Sequence, residues 1–222
     1  MTAGPFDPLL DMARLRRLEA VAAQHTREAD PAHDFLHVQR VMALTSRIAA
    51  AEGADLAVTM LAALLHELFN YPKDHPQSHL SGEVCAQKAV SVLRREGLPP
   101  EFCERVAYCI RVHSFSRGIV PETLEARVLQ DADRLDALGA IGIARCFATG
   151  SSMRRPFYAP EDPFCHQREP DDKQWSLDHF YKKLLKLPST LHTATARQMA
   201  GERAIFLQDF LGQLEKELMQ GG

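Results

Sequence analysis

Apolar residues recur along most of the chain at the three-to-four spacing of a helix, and almost no window alternates as a strand would. Asp7 before Pro8 predicts a helix start, followed by a stripe of Leu9, Leu10, Met12, Ala13, Leu15, Leu18, Val21 and Ala22. A second helix is predicted from about Phe35 to Glu52, with Val38, Val41, Met42, Leu44, Thr45 and Ile48 on its inner side and Gly53 as its stop. Asp55 is placed to cap a third, whose apolar body runs through Leu56, Val58, Met60, Leu61, Leu64 and Leu65 up to His66.

The segment LFNYPKDHPQSHLSG breaks the pattern with two prolines directly after His66 and Glu67, which predicts an exposed loop. Helices resume near Glu83–Arg95 and Glu101–Val112, and another stretch begins after Pro121 and continues to Gly150. Residues 151–175 hold four prolines and no sustained period, predicting a long loop. Two closing helices are expected near Ser176–Leu187 and from Ser189 or Thr190 to about Met219. The reading is all-α: a single domain over 1–222, with a helical core at 20–150 and a loop and C-terminal helices at 151–222 packed on it.

Composition changes this picture in one respect. A chain of 222 residues with a net charge of -3 is ordinary, but it carries ten histidines, six of them between His33 and His113. That concentration points to metal or proton chemistry. The balance of 26 basic against 29 acidic residues excludes a sequence-independent binder of large nucleic acids. No apolar run approaches the ~18 residues of a membrane span, and the N-terminus lacks signal-peptide architecture; the expected compartment is the cytoplasm. The five cysteines are scattered without a CxxC pair, so neither a disulfide framework nor a zinc cage is predicted. Cys146 reads as a small core residue.

The chemistry concentrates where three helices present HDFLHVQRV, LAALLHELFN and LQDADRLDALGAIGIAR. These offer His37, His66, Glu67 and Asp131 as metal ligands. Mixed nitrogen and oxygen donors suit one divalent cation such as Mn, Fe or Mg better than a structural zinc. Asp34, three residues before His37, is placed to orient that imidazole. Gly139 and Gly142 read as small residues that let helices approach closely.

The order H…H[DE]…D in an all-helical chain resembles the HD superfamily of metal-dependent phosphohydrolases. HDFLHVQRV, AALLHE, HSFSRG, QDADRLDALGAIGIAR and LDHFYKKLLKL are similar to a small bacterial subgroup of stand-alone HD hydrolases, over roughly residues 20–215. The resemblance implies that His37, the pair His66–Glu67 and Asp131 ligate the metal. Glu67 stands where the family has Asp. It further implies hydrolysis of a phosphate ester or anhydride, with a small nucleotide as substrate.

Within that resemblance His113 is a proton donor to the leaving group or a further ligand. Lys73 is either a phosphate-binding cation or a solvated lysine. Arg134 either binds phosphate or pairs with a carboxylate. The competing function is a catalytically weakened metal- or nucleotide-binding regulator, motivated by Glu67; a two-metal site recruiting His113 and His79 is a third.

Overall fold

The computed structural model describes residues 11–26, 34–71, 75–114 and 118–219. Among these, every regular element is helical. The described residues up to Asp133 form one compact unit and those from Arg134 onward a second.

The first unit holds α1 (Met12–His25), α2 (Phe35–Glu52), α3 (Leu56–Leu65), α4 (Ser81–Arg95) and α5 (Pro100–Val112). It also holds the first turns of α6 (Leu124–Asp136). The expected start at Asp7–Pro8 lies outside the described residues; where the chain is described, Asp11 caps α1 by accepting from the Arg14 amide. α2 has the predicted bounds, and Gly53 closes it by donating to the Ala49 carbonyl.

α3 is the centre of this unit, packed against α1, α2 and α5. Nearly its whole length is buried: Ala57, Val58, Thr59 and Leu61 through Leu65. A helix apolar on every side has no face to give to water, so it becomes a core helix. Asp55 caps it as predicted, accepting from the amides of Ala57 and Val58 at 3.0 and 3.2 Å. At the other end the apolar run stops and His66 takes over, so the helix delivers its first polar groups from inside the core.

The second unit contains α7 (Gly139–Ser152), α8 (Asp178–Lys182) and α9 (Ala194–Met219), with a 3-10 turn over Leu184–Thr190. α7 packs on α9. Phe147, Phe157, Phe180 and Phe210 meet here, with centroids 5.2–6.1 Å apart. The expected continuous helix to Gly150 is instead broken at Ala137–Leu138. Gly139 restarts it with φ of 69°, a conformation that favours glycine.

Gly142 is small for a reason other than helix–helix approach: a Cβ there would lie 2.2 Å from the Ala137 carbonyl oxygen of the same turn. Gly139 does face another helix, since a Cβ would sit 3.2 Å from the Arg203 stem of α9. The stretch before α8 is held by Asp178, fully buried, which accepts from both Arg168 Nη atoms at 2.5 and 2.7 Å and from the Asp171 amide. Cys146 is a core residue here, its thiol donating to the Ser176 carbonyl, and burial pushes that thiol up to about 12. No helix among the described residues is long and apolar enough to cross a membrane.

Candidate metal centre

His37 stands in the first turn of α2 and is fully buried. Asp34 is the N-cap of that helix: its carboxylate accepts from the His37 backbone amide at 2.9 Å. The carboxylate expected to orient the imidazole thus holds the main chain of His37. It fixes the residue that carries the ring.

His66 follows directly on α3, only 1% exposed. Its Nδ1 lies 2.6 Å from the Ala63 carbonyl. A carbonyl only accepts, so Nδ1 carries the hydrogen and Nε2 presents a lone pair. Burial pushes the His66 pKa down to about 4, which keeps the ring neutral and able to ligate. Its Nε2 faces the His37 Nε2 at 3.2 Å. Two imidazole lone pairs that close repel unless a proton or a cation lies between them.

Two carboxylates complete the cluster. Glu67 Oε1 lies 3.7 Å from His37 Nε2 and 3.8 Å from His66 Nε2, so its longer side chain does reach the pair. Asp133, on α6, has Oδ1 3.5 Å from His37 Nε2. Potential ligand atoms of His37, His66 and Asp133 all lie within 4.8 Å of one another. Neutral nitrogen donors beside carboxylate oxygens form a set that fits a divalent cation.

The aspartate brought to the histidines is thus Asp133, where the sequence reading puts Asp131. Asp131 is fully buried on the same helix, two residues and about 200° away around its axis.

His113, just past α5, joins the cluster edge-on. Its ring centroid is 5.3 Å from that of His66, and its Nδ1 is tied to the Ile110 carbonyl at 2.6 Å. The repeated Nδ1 anchorage leaves Nε2 as the nitrogen of His113 available to chemistry. Gln130, missed by the sequence reading, spans the segment behind it: the buried amide donates to the carbonyls of Val112 and Ile119. Cys85 of α4 lies under the His66–Glu67 turn, its Sγ 3.4 and 3.2 Å from the carbonyls of Leu65 and His66.

Lys73 lies outside the described residues. Arg134 begins the second unit, where its guanidinium donates to the Thr190 carbonyl and approaches His192 Nε2 at 3.4 Å. His75 stacks on Tyr71 with centroids 4.5 Å apart, and His79 is exposed on a 3-10 turn, Ser78–Leu80.

Comparison with known proteins settles the ancestry of this arrangement. The HD domain family model matches residues 34–138, which include every member of the cluster. The Bacillus subtilis protein YpgQ is 36% identical over 190 residues, 84% of this chain and 84% of that one. The chain belongs to the HD superfamily. Among solved structures, B. subtilis YpgQ in complex with ADP superposes with a TM-score of 0.70 at 33% identity, over 93% of this chain and 97% of that one. An HD-superfamily hydrolase of Bacillus thuringiensis gives a TM-score of 0.70 at 32% identity, over 92% and 98%. The HD pattern accounts for the shape of the site: a core helix ends in the His–acid pair, with a histidine from α2 and an aspartate from α6 beside it.

Proposed function

We propose that this HD protein is a divalent-metal-dependent phosphohydrolase that cleaves a phosphate ester or anhydride of a small nucleotide. The observation that carries the reading is the pair of facing Nε2 atoms of His37 and His66, flanked by the carboxylates of Glu67 and Asp133. The nucleotide is supported by the relative crystallised with ADP.

His37, His66 and Asp133 would hold the ion, with Glu67 at its side, in place of the Asp131 expected from sequence. When bound, one divalent cation, Mn, Fe or Mg, supplies positive charge against a phosphoryl oxygen and acidifies water. The protein does the rest by placement. The Ala63 carbonyl orients His66, the Asp34 cap orients the start of α2, and burial holds the His66 ring neutral. With its Nδ1 hydrogen committed to the Ile110 carbonyl, His113 presents Nε2 as a lone pair, which suits a further ligand; it would donate to the leaving oxygen only as the imidazolium. Of the two readings of Lys73, the cation for the substrate phosphate is the one adopted.

The test is hydrolysis of nucleoside mono-, di- and triphosphates by the metal-reconstituted protein, with His66→Ala as control. Phosphate or pyrophosphate release at least a hundredfold above that variant is expected; equal release by both would overturn the site. Glu67 contacts both histidines, which favours an active site over the weakened regulator. Glu67→Asp is therefore expected to leave turnover unchanged or lower it, and a large gain would establish the regulatory reading.

A further inference from the structure

The turn that carries His66 and Glu67 is held from below by a side chain that takes no part in ligation. α3 ends at Leu65, so the carbonyls of Leu65 and His66 are among those an α-helix leaves without a partner in its next turn. Leu65 recovers one bond from the Leu68 amide at 3.3 Å. The other donor within reach is the thiol of Cys85, on α4, with Sγ 3.4 Å from the Leu65 oxygen and 3.2 Å from that of His66. One sulfur atom, on a residue 1% exposed, therefore touches the main chain at both Leu65 and His66, directly before Glu67.

We infer that Cys85 is a positioning residue for the metal centre, fixing the main-chain turn at Leu65 and His66 so that His66 Nε2 and Glu67 Oε1 converge on His37. The inference rests on the metal-dependent reading above. A thiol suits the task because sulfur is large and polarisable and its hydrogen can be shared between two carbonyls. Without it the two carbonyls stay buried and lose a donor, and the turn relaxes toward other partners. Because His66 and Glu67 sit on that turn, any relaxation moves both side chains relative to His37. Cys103, equally buried in the same unit, bonds only the Leu98 carbonyl at 3.6 Å, far along the chain from the site. It provides the comparison for a cysteine that merely packs.

The experiment titrates Mn2+ calorimetrically into full-length protein stripped by chelation, with the thermal midpoint of each metal-free variant measured in parallel. Cys85→Ala is expected to weaken Mn2+ binding about tenfold or more, the usual loss for groups that hold a ligand in place. Cys85→Ser, which keeps a donor, is expected to stay within about threefold of the native affinity. Cys103→Ala should keep that affinity whatever it loses in thermal stability. Cys85→Val keeps the bulk without the donor and stands in, with the same expected loss, if Cys85→Ala does not fold. Affinity of Cys85→Ala within about twofold of native, or an equal loss in Cys103→Ala, overturns the inference. A native chain that takes up no Mn2+ overturns the metal reading itself and this inference with it.

Discussion

A carboxylate on a helix reaches a site only if the helix phase turns it there. On α6 the buried residues Val128, Leu129, Ala132 and Leu135 define an inner stripe, and at about 100° per residue Asp131 and Asp133 fall on opposite edges of it. Asp133 meets His37; Asp131 goes to the other side. Asp133→Ala should abolish measurable Mn2+ binding while changing the thermal midpoint little, since its side chain is 24% exposed. Asp131→Ala should do the reverse, because a fully buried group is removed from its partners. Calorimetric titration of both variants decides, and retention of binding by Asp133→Ala would return the assignment to Asp131. His66 and Glu67 were legible because adjacency to the end of an apolar helix singles them out, and His37 because it stands in the HDFLHVQRV motif at the start of α2. The choice between two aspartates on one helix was not, since both border the same stripe and only the position of His37 in space distinguishes them.

At the scale of elements, hydrophobic period and caps carried most of the prediction. α2 has its expected bounds, and α3 its expected cap and end. The break between α6 and α7 escaped because Ala137 and Leu138 have ordinary helical character, and the turn is made by Gly139 and by contact within the chain. Gly142 is the residue on which that turn closes. Gly142→Ala would press a methyl group to 2.2 Å from the Ala137 oxygen, backbone against which nothing flexible can yield. The expected cost is about 2 kcal/mol, seen as a midpoint lowered by roughly 5 °C. An unchanged melting curve would show that the turn has slack enough to admit a methyl group.

For the molecule as a whole, the buried His66 links stability to acidity. Its folded pKa of about 4 lies below the 6.5 of the exposed ring, so below pH 6.5 the unfolded chain binds more protons than the folded one. The stabilisation is complete above pH 6.5 and is lost as pH falls toward 4, by an amount on the order of 3 kcal/mol. Thermal midpoints of chelator-treated protein between pH 7.5 and 4 should therefore fall with acidity, while His66→Gln flattens the profile across that window; identical native and variant profiles would count against a neutral buried ring.

Sequence by itself determined the all-helical class, the bounds of α2, the cap and end of α3, the HD family and the adjacency of His66 and Glu67, because hydrophobic period, caps and contiguous motifs act through neighbours along the chain. Only tertiary structure decided that Asp133 faces the histidines, that Asp34 serves the backbone, that Arg134 is tied to Thr190 and that Cys85 underlies the His66–Glu67 turn. Each of these depends on distances between residues remote in sequence or on a helix phase read against a neighbour, and neither quantity exists until the chain has folded.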